Sequence, residues 1–191
     1  MTALWLVRHG ETAWSRARKH TSTTDVPLTA LGERQASALR DVLAEQDFAL
    51  VLTSPRVRAE RTAQLSGFGD AEIDEDLVEW QYGHYEGITT AQIRETVADW
   101  SVWTHESPGG ETADEVGARL DRVVERAHAA GEDATTLVFG HSHALRVLAA
   151  RWLGLPPDHG KIFHLDTATV SVLEIDRGLP VVARWNVPAA R

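Results

Sequence analysis

Three short apolar runs, each followed at once by polar residues, constrain the fold more than any other feature of this chain. They span residues 4–7, 50–52 and 137–139. Apolar runs of this length are typical of strands buried on both faces of a parallel sheet. Each run is followed by a polar turn and then by a helical pattern of apolar residues. This succession predicts an α/β fold, a three-layer sandwich with helices on both faces of a mostly parallel central sheet.

Signals for helix starts support this prediction. Thr29 is a candidate N-cap, and Thr112 with Glu115 matches the capping-box pattern at the start of an amphipathic helix. Pro55 suits the first turn of a helix that reaches about residue 65.

The end of the chain has a different period. Residues 181–187 alternate between apolar and polar side chains, and residues 169–175 form a suitable partner strand. We therefore predict a terminal hairpin with its turn at residues 176–178.

Composition restricts the classes of function. The chain has 191 residues, 43% of them hydrophobic, and a formal net charge of -9, which indicates one domain over residues 1–191 and argues against a nucleic-acid partner. Cysteine is absent, and no apolar segment has the length of a membrane span. We expect a soluble, cytoplasmic protein with no membrane partner.

Polar clusters follow all three predicted strands. Arg8 and His9 follow the first strand, residues 54–58 follow the second, and His141 and His143 follow the third. Because ligands of open α/β sheets bind beyond the carboxyl ends of the strands, we expect these clusters to meet at one edge of the sheet.

The residue types in these clusters suit phosphate chemistry. Arginine offers a planar fork that matches a phosphoryl group, so Arg8 and Arg58 are candidates for a clamp. His9 lies beside these cations, which disfavour its protonation and leave a neutral imidazole as nucleophile. His141 is suited to donate to phosphoryl oxygens as charge develops on them.

A leaving alkoxide needs a proton, and two carboxyl groups are candidates to supply it. Glu79 lies among apolar residues in "DLVEWQYGHYEG", an environment that suits a general acid, and Glu86 lies in the same stretch. Spacing alone does not choose between them.

Other interpretations of these residues compete with the phosphate site. The arginines of "SPRVRAERT", Arg58 among them, also fit a solvated helix face. The "HSH" sequence at His141 and His143 offers imidazoles to a metal, but no further residue has the spacing of a metal site. We therefore expect neither a metal nor a cofactor.

Five motifs in the same order resemble those of one known family. They are "LVRHGETAW", "TDVPLTALGERQA", "TSPRVRAERTA", "LVEWQYGHYEG" and "VFGHSHALRVLA". The chain resembles the histidine phosphatase superfamily, in its phosphoglycerate-mutase-like branch, over nearly its whole length. Its details are most similar to the acid-phosphatase and sedoheptulose-bisphosphatase-like members.

The resemblance implies a role for each matching residue. His9 corresponds to the phosphorylated nucleophile and Glu79, rather than Glu86, to the proton donor, with no metal involved. The rest of the implied phosphate pocket is Arg8, Arg58 and His141, and the implied substrate-binding residues are Ser15, Thr21, Ser22, Tyr82 and His143. Ser15, Ser22 and Ser142 depart from the family's usual asparagine, glycine and glycine, respectively.

The function implied is a phosphoric monoester hydrolase of the histidine acid phosphatase type, acting on a small phosphorylated substrate. One alternative is a phosphoglycerate mutase, and another is a phosphate-binding module without activity. We expect a short lid over about residues 84–111, in which Gly109 and Gly110 are candidate hinges. Trp100 and Trp103 either contact the substrate or pack the lid onto the domain. The oligomeric state stays open, with a homodimer through the last strand as one possibility.

Overall fold

The elements of the fold follow the predicted succession. A computed structural model describes residues 2–189. Short 3₁₀ helices occur at Glu75–Leu77, Gly83–Tyr85 and Pro157–Ile162. In chain order the other elements are β1 (Ala3–Arg8), α1 (Ala13–Arg16), α2 (Ala30–Ala44), β2 (Leu50–Thr53), α3 (Val57–Leu65), β3 (Glu72–Ile73), α4 (Thr90–Arg94), α5 (Ala113–Ala129), β4 (Thr135–Gly140), α6 (Ser142–Trp152), β5 (Thr169–Asp176) and β6 (Leu179–Pro188).

The strands of residues 2–189 form one six-stranded sheet in the order β3-β2-β4-β1-β5-β6. The pairs among β3, β2, β4 and β1 are parallel, whereas β5 and β6 run antiparallel. The mostly parallel α/β fold is therefore confirmed. The predicted terminal hairpin is present too, and its turn residues Arg177 and Gly178 both have positive φ, at 50° and 82°. Positive φ at both central residues matches the turns that suit twisted hairpins.

Helices cover both faces of the sheet because successive residues of each strand point to opposite sides. Leu6 of β1 belongs to a core with Leu120 of α5 and Leu148 of α6. The next residue, Val7, belongs to a second core with Leu39 of α2 and Ala63 of α3. The strands thus supply the middle layer of a three-layer α/β/α sandwich.

The predicted starts of α2 and α5 are confirmed, and the predicted start of α3 is two residues too early. The hydroxyls of Thr29 and Thr112 accept hydrogen bonds from backbone N–H groups in the first turns of α2 and α5. The start predicted at Pro55 is wrong by two residues, since α3 begins at Val57. The Val57 N–H donates to Asp25 Oδ1 at 2.9 Å, so a side chain from another segment satisfies this end of the helix.

The segment predicted as a lid packs closely against the rest of the chain. Trp100 is 1% exposed, and its ring lies against His20 and Tyr85. A Cβ atom at Gly110 would lie 2.2 Å from the carbonyl oxygen of Gln81. Close backbone packing therefore requires glycine at residue 110, a different reason from the predicted hinge.

The two leucines Leu120 and Leu31 give a matched test of this packing. Leu120 is fully buried in α5, whereas Leu31 is 42% exposed in α2. We expect Leu120→Ala to lower the free energy of unfolding by about 2–5 kcal/mol because it leaves a cavity in the core. We expect Leu31→Ala to change it by only about 0.5 kcal/mol. Urea denaturation of both variants measures this difference, and equal losses would contradict the assigned core.

Candidate active site

Strand register brings the predicted clusters to one edge of the sheet. Arg8 pairs with Gly140 across β1 and β4, and Thr53 pairs with Phe139 across β2 and β4. The residues that follow these strand ends therefore lie side by side. The ring centroids of His9 and His141 are 5.2 Å apart.

His9 is held as a neutral imidazole with one free nitrogen. It is 5% exposed, and its Nδ1 lies 2.8 Å from the carbonyl oxygen of Gly10. Because a carbonyl oxygen only accepts, Nδ1 carries the proton and Nε2 keeps its lone pair. Burial lowers the pKa of His9 well below its usual value, and the charges of Arg58 and Arg8 lower it further. Nε2 is therefore a nucleophile at neutral pH.

The loop after His9 is held by close backbone contacts. The Gly10 N–H donates to Thr62 Oγ1 at 3.1 Å. A Cβ atom at Gly10 would lie 2.4 Å from the carbonyl oxygen of Gly32 in the first turn of α2. Glycine here allows the nucleophile loop to lie directly on that helix.

Arg58 is fully buried, so its interpretation as a solvated helix residue is wrong. Its guanidinium donates to the carbonyl oxygens of Thr21, Ser22 and Thr24 at 3.1–3.2 Å, and the nearest carboxylate, on half-exposed Asp25, is 4.0 Å away. These contacts orient the guanidinium, and the carboxylates of Glu79 and Asp25 interact with its charge without accepting its hydrogen bonds.

Arg8 is oriented in a similar way. Its Nη1 donates to the carbonyl oxygen of Leu165. Within residues 2–189, the buried Nε atoms of Arg8 and Arg58 have no hydrogen-bond partner. Unsatisfied buried donors are costly, so both Nε atoms are available to an acceptor on a bound ligand.

His141 is fully buried beside His9. Its Nε2 lies 2.7 Å from Ser54 Oγ, and its Nδ1 has no partner among the described residues. Burial lowers its pKa well below the usual value, and the charge of Arg58 acts in the same direction. His141 is therefore a neutral hydrogen-bonding group at neutral pH.

Glu79 is 4% exposed, and its carboxylate contacts the first turn of α6. Its Oε1 accepts from the backbone N–H groups of Trp80 at 2.9 Å and Ala144 at 2.8 Å. Its Oε2 accepts from the N–H of His143 at 3.1 Å. The carboxylate thus occupies the N-terminal end of the helix that follows His141.

The competing carboxyl group, Glu86, has a different position. Its oxygens accept from the backbone N–H groups of Ser22 at 2.9 Å and Thr24 at 3.0 Å. Glu86 therefore holds the loop whose carbonyl groups orient Arg58. Glu79 lines the cavity beside His9, and Glu86 is absent from the residues that line it.

A cavity of about 630 Å³ opens in front of His9. Its volume exceeds what a phosphate needs and is in the range of sites for small organic ligands. The residues predicted from the sequence that line this cavity are Arg8, His9, Ser15, Thr21, Glu79, Tyr82 and His143. Arg58 and His141 are fully buried and do not line it.

Ser22 does not line the cavity, unlike the other predicted substrate-binding residues. Its hydroxyl donates to the carbonyl oxygen of Glu79 at 3.0 Å. Ser15 lines the cavity, but its hydroxyl also completes the capping box of α1 with Thr12. The side chain of Ser22 is thus used to connect the loop to the Glu79 segment.

Tyr82 and His143 form a hydrogen-bonded pair at the cavity wall. The Tyr82 hydroxyl lies 2.6 Å from His143 Nδ1. Burial lowers the pKa of His143 well below its usual value, with Arg146 acting in the same direction. His143 is therefore available as a neutral polar group for a ligand.

Sequence reasoning missed a group of cavity residues. Arg146 had a usable signal, because it lies three residues after His143 in a predicted helix and shares its face. His164 and Asp166 had none, since a loop distant in sequence brings them to the cavity. The full set missed is Thr12, Arg18, Lys19, His20, Thr90, Ser142, Arg146, His164 and Asp166.

The two tryptophans of the predicted lid, Trp100 and Trp103, are absent from the residues that line the cavity. Trp103 lies edge-on to Trp80 and His143, and the Arg146 guanidinium lies 4.6 Å from its ring centroid. Trp100 is buried as described above. Of the two interpretations of these residues, packing of the segment onto the domain is the one that agrees with the structure.

Residues 2–189 contain no cluster of three His, Cys, Asp or Glu side chains arranged to hold a metal ion. None of their helices has the length and apolarity needed to cross a bilayer.

Comparison with known proteins identifies the family. Residues 4–188 match the model of the histidine phosphatase superfamily, branch 1. An acid phosphatase of Mycobacterium tuberculosis is 41% identical over 182 residues, covering 94% of this chain and 90% of that protein. A sedoheptulose 1,7-bisphosphatase of Saccharomyces cerevisiae is 35% identical over 181 residues, covering 78% and 67%.

A solved structure has the same fold. The structure of an open reading frame product from Mycobacterium tuberculosis superposes with a TM-score of 0.94 at 38% identity, covering 98% of each chain. The chain therefore belongs to the histidine phosphatase superfamily, and the resemblance found in the sequence is confirmed.

The buried histidines predict acid sensitivity of the fold. His9 and His141 stay neutral when folded, whereas in the unfolded chain they take up protons below about pH 6.5. The unfolded state then binds more protons, so stability falls as pH falls, by up to about 1.4 kcal/mol per pH unit for each histidine. Urea denaturation at about pH 7 and about pH 5.5 measures this dependence.

The variant His141→Gln isolates one of these groups. Its unfolding free energy should change less steeply between the two pH values, by up to about 1.4 kcal/mol per pH unit. An unchanged slope would show that His141 is not a neutral buried group in the folded protein.

Proposed function

We propose that this chain is a metal-independent phosphomonoesterase that acts on small phosphorylated metabolites through a phosphohistidine at His9. The observation that carries the proposal is the neutral imidazole of His9, with Nε2 free, beside two arginines oriented by carbonyl oxygens. Nucleophile and phosphate-binding groups then lie within one site. Relatives named as phosphatases support this function over that of a mutase.

In the first step, the lone pair of His9 Nε2 attacks phosphorus in line with the ester oxygen. The P–O bond to the organic group breaks, and the leaving oxygen takes a proton from Glu79. The Nδ1–H bond to the Gly10 carbonyl oxygen holds the ring in place and stabilises the positive charge that the imidazole acquires. Arg8, Arg58 and His141 stabilise the phosphoryl oxygens.

In the second step, water attacks the phosphohistidine. Glu79, now a carboxylate, takes a proton from this water, and the P–N bond breaks. His9 regains its lone pair and inorganic phosphate leaves. The same carboxyl group thus acts first as acid and then as base, and the proton balance closes over one turnover.

The cavity also supports a proposal about the substrate class. Beyond the phosphate-binding residues, Arg18, Lys19 and Arg146 line it, and these basic residues outnumber its acidic residues, Glu79 and Asp166. The chain as a whole carries a net charge of -9. Local positive charge in an acidic protein favours anionic ligands. Bisphosphates and phosphorylated acids are therefore the substrates to examine first, and the name of the yeast relative is consistent with a bisphosphate.

The mutase alternative shares the first step and differs in the acceptor. A mutase returns the phosphoryl group to a bound product and must exclude water while the intermediate waits. Isomerisation of a phosphoglycerate faster than release of inorganic phosphate would favour this alternative.

The first experiment compares the wild type with His9→Ala. We expect the wild type to release inorganic phosphate from an aryl phosphate in the presence of a chelator, and His9→Ala to release none, because the variant has no nucleophile. Phosphate release is measured colorimetrically. Activity that survives in the variant, or disappears with the chelator, would overturn the metal-independent phosphohistidine mechanism.

A second experiment separates the roles of Glu79 and Glu86. We expect Glu79→Gln to lower kcat/KM roughly 10²–10⁴-fold with an alkyl phosphate. This parameter reports the steps up to departure of the leaving group, and hydrolysis of the phosphohistidine does not enter it. With a nitrophenyl phosphate the loss should be smaller, because that leaving group departs without a proton. Steady-state kinetics with both substrates measure the difference.

Glu86→Gln is the matched control for this comparison. It removes the same charge but acts only through the loop that holds Arg58. Its loss of activity should therefore be equal for the two leaving groups. Equal losses in Glu79→Gln, or a dependence on leaving group in Glu86→Gln, would contradict the assignment.

A further inference from the structure

Ser54 has a position that the mechanism above leaves unused. It follows β2 directly, and its Oγ lies 2.7 Å from His141 Nε2. Both side chains are fully buried. The backbone of Ser54 is tied to β4, since its N–H donates to the carbonyl oxygen of Phe139 at 3.0 Å. The hydroxyl is thus held against the imidazole from a rigid strand end.

The partners of the hydroxyl indicate which group donates. Ser54 Oγ accepts from the N–H of Arg56 at 3.4 Å. Among residues 2–189, the other hydrogen-bond partner of this hydroxyl is His141 Nε2, and the hydroxyl proton is satisfied when that nitrogen is the acceptor. A neutral imidazole carries one proton, so a hydroxyl donating to Nε2 places that proton on Nδ1.

We propose that Ser54 is a positioning residue, which holds His141 as the Nδ1–H tautomer so that this N–H donates to a phosphoryl oxygen. The role rests on the proposed phosphoryl transfer. His141 Nδ1 is buried without a partner among the described residues, and a buried donor without an acceptor is costly. A bound phosphoryl group supplies that acceptor.

The opposite tautomer would work against catalysis. It would direct a nitrogen lone pair, instead of an N–H group, towards the negatively charged phosphoryl oxygens. Preorganised donors stabilise developing charge without reorganisation during the reaction. Ser54 thus acts on the phosphoryl group through His141. Its hydroxyl keeps the His141 proton on Nδ1, the nitrogen that donates to the phosphoryl oxygen.

Nuclear magnetic resonance tests the tautomer directly. In protein labelled with ¹⁵N-histidine, His141→Gln identifies the signals of His141 by their loss. We expect protonated Nδ1 and unprotonated Nε2 in the wild type, and loss of this single state in Ser54→Ala. Addition of inorganic phosphate should shift the Nδ1 signal of the wild type. A wild-type His141 with its proton on Nε2 would overturn the proposal.

Kinetics provide the second test. We expect Ser54→Ala to lower kcat about 10–100-fold with a nitrophenyl phosphate, less than the loss typical for a direct oxyanion donor, and Ser54→Thr to restore part of it. Ser66→Ala is the matched control, because Ser66 is 1% exposed and its hydroxyl donates to carbonyl oxygens of α3. Equal losses in the Ser54→Ala and Ser66→Ala variants would show a merely structural role.

The two measurements separate this proposal from the proposed function. If the wild type hydrolyses no phosphate ester but holds the Nδ1–H tautomer, the proposed phosphatase function is wrong and the hydrogen bond from Ser54 to His141 stands. If the wild type is active but holds the opposite tautomer, the proposed role of Ser54 is wrong and the phosphatase function stands. Urea denaturation of each variant verifies that it is folded.

Discussion

The parallel register of β1, β4 and β2 is the constraint on which the rest of the site depends. It pairs Arg8 with Gly140 and Thr53 with Phe139, so the chain leaves all three strands at nearly the same level. A shift of one residue in any strand would send its side chains to the opposite face. In the observed register, His9, Ser54 and His141 lie close together because the apolar residues before them are packed in the two cores.

Two arginine charges lie at this edge of the sheet, and backbone groups orient them. The guanidinium groups of Arg8 and Arg58 donate to backbone carbonyl oxygens. A close carboxylate pair would have satisfied their donors as well, but would have cancelled the charge that a phosphoryl group requires. Carbonyl oxygens orient the guanidinium groups and preserve their positive charge. Burial lowers the pKa of His9 most, and these charges lower it further.

Much of this arrangement could be predicted from the sequence. The apolar runs and caps give the fold, and the residues after the strands give the reactive cluster, because strand ends are positions that sequence pattern and topology determine together. Glu79 and Glu86 could not be separated by spacing, since their difference lies in partners: one contacts the start of α6 and the other contacts the loop at Ser22.

The remaining cavity residues depend on contacts between segments far apart in the chain. Asp166 lies on a loop that the end of β6 holds, where the Asp166 N–H donates to Asn186 Oδ1 at 2.7 Å. Asn186 has a φ of 56° at an irregularity in the strand. Neither this strand irregularity at Asn186 nor its contact with Asp166 is indicated by the local sequence. The burial of Trp100 likewise follows from tertiary packing, which local pattern does not encode.

After the first step of the proposed mechanism, two anionic groups lie close together, the Glu79 carboxylate and the phosphoryl group on His9. Helix N-termini are common phosphate sites, yet here the carboxylate of Glu79 occupies that position, with bonds from the N–H groups of His143 and Ala144. The helix dipole stabilises the carboxylate while the arginines bind the phosphoryl group. Glu79 also interacts electrostatically with Arg8 and Arg58. The two cations therefore offset the repulsion between the Glu79 carboxylate and the phosphoryl group in the phosphohistidine state.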